Sequence, residues 1–120
     1  MKPLKVYLDT SIISFLYAED CPDLRRITES FFANYVEPER FQTFISDVVV
    51  LEIGKTPNPE KQDQLVAVIR EYRLPLLPLT EEAARLADIF LERRVVPQRR
   101  IEDAQHLAVA TCHQMDVLLS

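Results

Sequence analysis

Short apolar runs alternate with stretches in which apolar residues recur every three or four positions. Val6 to Leu8 is the first run and reads as a buried strand. Thr10 or Ser11 is the expected N-cap of a following helix that carries Ile12, Ile13, Phe15 and Leu16. Pro22 and Asp23 open a second helix, with Leu24, Ile27, Phe31 and Tyr35 on one face, Phe32 beside them, and Pro38 as its end. Phe41 to Ile45 reads as the second strand, with Ser46 or Asp47 as the next cap. The run Val48 to Leu51 suits a strand or a helix, and the Ser46-Asp47 start signal selects a helix. Asn58-Pro59 starts another helix, with Leu65, Val66, Ile69 and Tyr72 on one face. Leu74 to Leu79 contains two prolines and reads as a short strand near a sheet edge. Thr80 caps a helix from about Glu81 to Arg94, with acids in its first turn, and Pro97 breaks the chain. A last helix is predicted from Ile101 to His113 and a last strand from Val117 to Leu119.

Strands that alternate with helices, and that are apolar throughout rather than on every second residue, imply a parallel sheet covered on both faces. The expected fold class is α/β, a three-layer α/β/α arrangement around a short central parallel sheet, as one domain over residues 1–120. In such sheets, ligands bind at the carboxyl ends of the strands. Asp9, the lone carboxylate in VYLDTSIISFL, stands at such an end.

Composition narrows the chemistry. With one Gly against eight Pro, no Gly-rich phosphate loop or dinucleotide fingerprint exists. Cys21 and Cys112 are isolated, without zinc-ligand spacing, which suits a reducing, cytoplasmic setting. The start, MKPLKVYLDT, is too charged for a signal peptide, and no run approaches the roughly 18 apolar residues of a membrane span. A formal net charge of -5 argues against coating nucleic acid by bulk charge, but not against a cationic rim around an acidic site.

Three acids have unusual surroundings. Asp9 follows the first strand, Glu52 lies within the apolar run VVVLEI, and Asp103 opens the helix IEDAQHLAVA. At about 100° per residue, Ala104, Leu107, Ala108 and Thr111 form that helix's inner face, with Asp103 at its edge. Three carboxylates converging from separate segments, without histidine, suit Mg²⁺ or Mn²⁺. Each acid also has a plainer reading: Asp9 as a helix cap, Glu52 as a solvated residue, Asp103 as a complement to a helix dipole.

The set LDTS, SDVVVLEI and EDAQHLAVA before the terminal strand DVLLS resembles the PIN-domain nucleases, and among them the VapC-type toxins, over Val6 to Ser120. The resemblance implies a metal-dependent ribonuclease acting on single-stranded or structured RNA. It makes Asp9, Glu52 and Asp103 the catalytic carboxylates that bind Mg²⁺ or Mn²⁺, with Thr10 and Ser11 holding metal-bound water. It further implies a cognate antitoxin and a homodimer, with Phe15, Leu16, Phe31 and Phe32 as candidate contacts or core residues. That family carries a fourth acidic or polar residue just past the last strand; here Ser120 is the end, which reads as a truncated or naturally shorter form lacking that ligand.

Arg93, Arg94, Arg99 and Arg100 flank VVPQ just before the Asp103 helix and either hold RNA phosphates or form a solvated helix end. His106 is expected to pack or hydrogen-bond near the site and His113 to be exposed, neither essential for metal. Tyr17 and Tyr35 are the candidates for base stacking, with core packing favoured for Tyr35. Haloacid-dehalogenase-like phosphatases need a second Asp where Ser11 stands, and the acidic pair and later Lys of receiver domains are not legible. The alternative from another class is a non-catalytic PIN-fold protein that acts as a binding partner or scaffold.

Overall fold

A computed structural model describes residues 2–120. Four parallel strands form the sheet: β1 (Lys5–Leu8), β2 (Gln42–Ser46), β3 (Leu76–Leu77) and β4 (Val117–Leu119), in the order β3-β2-β1-β4. The helices are α1 (Thr10–Phe15), α2 (Pro22–Phe31), α3 (Asp47–Gly54), α4 (Pro59–Glu71), α5 (Glu81–Glu92) and α6 (Ile101–Cys112). The three-layer α/β/α architecture expected from the alternation is therefore present, with the two-residue β3 at an edge, where its flanking prolines cost no ladder bonds.

Side chains of β1 alternate between the two faces. Val6 and Leu8 join Ile13, Phe32, Val36, Ile45, Val49, Ile53, Leu65, Val68 and Leu74 in one cluster. Tyr7 joins Val48, Ala83, Ala87, Ala104, Ala108, Val109 and Ala110 in the other. Helix α3 contributes to both, so it straddles the end of the sheet where its N-terminus follows β2.

Helices α3, α4 and α5 start at the caps expected for them. Ser46 Oγ accepts from Val48 N–H at 3.1 Å, Asn58 Oδ1 from Glu60 N–H at 2.9 Å, and Thr80 Oγ1 from Ala83 N–H at 3.1 Å. The first helix departs from expectation: its N-cap is Asp9, not Thr10 or Ser11, and Asp9 Oδ1 accepts from Ser11 N–H at 2.9 Å. The helix ends are unusual because the chain has almost no glycine. Arg73, Arg94 and Gln114 take φ of 50°, 59° and 56° just past α4, α5 and α6. Each end closes with a backbone bond to the helix: Leu74 N–H to Ile69 O at 3.1 Å, Val95 N–H to Phe90 O at 2.9 Å, Met115 N–H to Ala110 O at 2.9 Å. A side chain in this left-handed region costs roughly 1–2 kcal/mol, which these closures offset.

Two expected faces rotate. Helix α2 runs into a π-helical turn, Phe32–Val36, with Glu37 N–H bonded to Phe32 O at 2.8 Å. The wider turn carries Phe32 and Val36 into the core after Thr28, while Ile27 is 67% and Tyr35 40% exposed. Tyr35 instead stacks on Phe41, centroids 5.2 Å apart, with the Arg40 guanidinium 5.9 Å from its ring. On α6 the inner face is Ala104, Ala108 and Val109 with His106; Thr111 is exposed and its hydroxyl donates to Leu107 O at 2.7 Å. Cys21 and Cys112 are both free, and no helix among the described residues is long and apolar enough to cross a membrane.

Candidate functional site

Asp9 lies at the carboxyl end of the central strand β1, between β2 and β4, and its backbone N–H donates to Leu119 O at 3.1 Å. The switch from strand to helix at this residue turns its side chain back over the first turn of α1. There Oδ1 accepts from Ser11 N–H and from Ser11 Oγ–H at 2.5 Å. Asp9 is 9% exposed. It is thus a helix cap and a site candidate at once, because the cap occupies a single oxygen. Oδ2 has no protein donor among the described residues.

Glu52 reaches the same place from α3. The run VVVLEI packs α3 on both clusters through Val48, Val49 and Ile53, which leaves Glu52 on the side facing α1 and α6. Its Oε1 accepts from Thr10 Oγ1 at 2.6 Å and stands 2.5 Å from His106 Nε2. Burial pushes the Glu52 carboxyl up, but the hydrogen bonds from His106 and Thr10, with the Lys55 ammonium nearby, outweigh it and hold the group below the usual carboxylate range. Oε2 is again without a protein donor among the described residues.

Behind these carboxylates lies a buried polar chain. Tyr7 Oη is 2.6 Å from both His106 Nδ1 and Ser46 Oγ, and all three residues are nearly inaccessible. Burial pushes the Tyr7 hydroxyl above its ordinary range; the bond with Ser46 opposes this, and the charges of Asp9 and Glu52 add to it. The bond between His106 and Glu52 meets the expectation that this histidine hydrogen-bonds near the site. The sequence reading missed Tyr7 and Ser46. The one available signal was a tyrosine inside the buried run Val6 to Leu8.

Asp103 does not join the other two. Its side chain is 47% exposed and its Oδ2 faces Arg100 Nη1 at 3.5 Å. Among the described residues no group of three or more His, Cys, Asp or Glu side chains stands close enough to hold an ion. The structure bonds Glu52 to Thr10, the residue that follows Asp9, and pairs Asp103 with Arg100 instead. The physical reason is local: like charges separate, and Arg100 offers Asp103 a partner one turn away. The hydroxyls of Thr10 and Ser11 donate to the two carboxylates, so in this arrangement they orient the acids.

Lys55 Nζ bonds Glu102 Oε1 at 3.0 Å, tying the end of α3 to the start of α6, the two helices that carry Glu52 and Asp103. The contact lies on the surface and is worth about 0–1 kcal/mol. Arg93, Arg94, Arg99 and Arg100 are all exposed around the α5–α6 connection. A groove of about 600 Å³ runs between the α1–α2 loop and the start of α4, lined by Tyr17, Cys21, Leu24, Asn58, Lys61 and Gln64 among others. Asp9, Glu52 and Asp103 are not among its lining residues. His113, expected to be exposed, is partly covered, and its Nε2 is 3.0 Å from Pro78 O.

In donor type, though not in this spacing, the carboxylates suit a hard divalent cation: Asp9 and Glu52 each have one oxygen fixed by protein donors and a second without one among the described residues. A search of curated proteins finds no match to this chain. Among solved structures, a chain of VapBC2 from Rickettsia felis, in a crystal bound to a DNA fragment from its promoter, superposes with a TM-score of 0.61 at 13% identity. The alignment covers 97% of this chain and 87% of that one. At that identity the likeness is one of fold. The PIN domain family matches residues 6–120, nearly the whole sequence and every element of the sheet, and the chain belongs to that family.

Proposed function

We propose that this chain is a PIN-domain ribonuclease that needs Mg²⁺ or Mn²⁺ and serves as the toxin of a toxin–antitoxin pair. The observation that carries the reading is the pair Asp9 and Glu52 at the carboxyl edge of the sheet, each held by one oxygen and without a protein donor among the described residues at the other. Membership of a nuclease family supports phosphodiester hydrolysis. The fold shared with a VapBC2 chain supports an antitoxin partner, and a homodimer is part of the same reading. With Phe32 fully buried, the candidate contacts for either partner reduce to Phe15, Leu16 and Phe31.

Asp9 and Glu52 would hold the cation, which would supply charge neutralisation at the scissile phosphate and a more acidic water. The chain's own residues do the rest. Asp9 and Glu52 present oxygens whose orientation Ser11, Thr10 and His106 fix in advance. Asp103, now paired with Arg100, would be the third carboxylate to hold the ion. Its exposed pairing is worth at most about 1 kcal/mol, little beside the pull of a divalent charge. Arg93, Arg94, Arg99 and Arg100 hold phosphates of the RNA on the rim beside α6.

The test is cleavage of a single-stranded RNA with Mn²⁺ present and with chelator, in the wild type and in Asp9→Asn. Cleavage that needs Mn²⁺ and vanishes in the variant is expected. A second reading, a PIN-fold scaffold without activity, draws on the outward position of Asp103. It takes over if the wild type binds Mn²⁺ or an antitoxin yet cuts no RNA of any kind offered, single-stranded or structured.

A further inference from the structure

The buried chain behind Glu52 has only one self-consistent direction. Ser46 Oγ accepts from Val48 N–H and touches Tyr7 Oη, with no other partner among the described residues. Ser46 is fully buried, so its own hydrogen has a single outlet, the oxygen of Tyr7. Tyr7 Oη thereby receives one hydrogen and must send its own elsewhere. The remaining neighbour is His106 Nδ1 at 2.6 Å, which therefore accepts. A phenol carries one hydrogen to donate, and an imidazole nitrogen without a hydrogen can accept it. With Nδ1 an acceptor, the proton of the imidazole sits on Nε2, aimed at Glu52 Oε1 at 2.5 Å. The opposite tautomer would place a lone pair against a carboxylate oxygen and strand the hydrogen of Ser46 in the core.

We infer that His106 is a positioning residue: Tyr7 and Ser46 lock it in the Nε2–H tautomer, and it fixes the Glu52 carboxylate by Oε1 so that Oε2 is presented to the ligand. The chain of bonds runs from the N-cap of α3, through the central strand, to α6, and returns to α3 at Glu52. It closes a loop of buried donors around three elements, and the N-cap of α3 and the acid that α3 carries are set by the same network. Thr10 adds a second donor to the same oxygen from α1. Two donors on Oε1 and none among the described residues on Oε2 give the carboxylate one orientation in place of two equivalent ones. The inference rests on the metal-site reading for what Oε2 receives, but not for the direction of the bonds.

Two measurements test it. The first is a ¹⁵N–¹H correlation spectrum of the histidine rings in metal-free protein. The expected signature for His106 is a bare Nδ1 and a protonated Nε2, which in Tyr7→Phe gives way to a tautomer mixture. A proton on Nδ1 in the wild type, or a ring spectrum unchanged in Tyr7→Phe, overturns the proposal. The second is calorimetric titration with Mn²⁺. His106→Leu is expected to weaken binding by about tenfold or more, as loss of an orienting partner does elsewhere. His106→Gln, whose amide N–H can occupy the place of Nε2–H, is expected to regain most of that loss. Gln no better than Leu, with both variants folded by thermal melting, also overturns it. If the wild type itself binds no Mn²⁺, the metal-site reading fails, and the ring spectrum alone decides the role of His106.

Discussion

The two layers that sandwich the sheet are built on opposite principles. One is a conventional apolar core of large side chains: Leu8, Ile13, Phe32, Val36, Ile45, Leu65, Val68 and Leu74, under α1, α2 and α4. The other is made of alanines, Ala83 and Ala87 on α5 against Ala104 and Ala108 on α6, and it holds the Tyr7–Ser46–His106 chain. Small residues at four-residue spacing let two helices approach closely, and that brings α6 near enough to β1 for a tyrosine to meet a histidine. The large-residue layer gains stability from area. The small-residue layer gains definition from fit and hydrogen bonds. The candidate site grows out of the second layer, since Glu52 is anchored by His106 and Asp103 opens α6.

This contrast predicts different failures. Phe32→Ala empties a fully buried ring from the large-residue layer, with an expected loss of about 3–5 kcal/mol in urea unfolding. A loss of under about 1 kcal/mol would mean the π-helical turn does not deliver Phe32 to the core. Ala108→Leu tests the other layer by excess. Overpacking the α5–α6 seam should cost about 1–3 kcal/mol, and the His106 ring signal should shift because its helix is pushed off the sheet. A neutral outcome would show slack between the two helices.

Glu52→Gln probes the polar chain by its acid limb. The Glu52 carboxyl is held below its ordinary value, so its folded form favours ionisation. Its contribution is fully present above the unfolded value and is lost as pH falls through the folded one. Metal-free wild type should therefore lose more stability than Glu52→Gln between neutral pH and about pH 3, as read from urea midpoints. Coincident acid limbs would show that the donors from His106 and Thr10 do not reach the carboxylate in solution. The smallest effect belongs to the helix ends. Gln114→Gly, at φ 56° past α6, should gain about 0.5–1 kcal/mol, relief of the left-handed side chain less the added freedom of the unfolded chain.

Much of the scaffold was legible because local rules and the global fold agree. β4 was delimited as Val117 to Leu119 by its apolar run, and α3, α4 and α5 were located by the caps Ser46, Asn58 and Thr80. The misses are informative. The α2 face was drawn through Ile27 and Tyr35; the structure turns Thr28, Phe32 and Val36 inward instead, and the π-helical turn changes the period only from Phe32 on, ahead of Tyr35. The α6 face was drawn through Thr111, which satisfies its hydroxyl on its own helix and stays outside. Of the candidate site, Glu52 was legible as an acid in an apolar run and Asp9 as an acid at a strand end. Their donors were only partly so. Thr10 and Ser11 are neighbours in sequence, whereas Tyr7 and His106 are 99 residues apart and meet only across the sheet.

What the sequence by itself determined is the order of strands and helices along the chain, the caps that start α3, α4 and α5, and the parallel class of the sheet. These follow from side-chain period and backbone hydrogen-bonding needs, which act over a few residues. Tertiary structure decided which carboxylates meet and how they are held. It joined Asp9 and Glu52 through α1, left Asp103 to Arg100, and threaded Tyr7, Ser46 and His106 into one chain of bonds. A buried polar group must find a partner wherever packing puts one, and packing couples segments that the sequence keeps far apart.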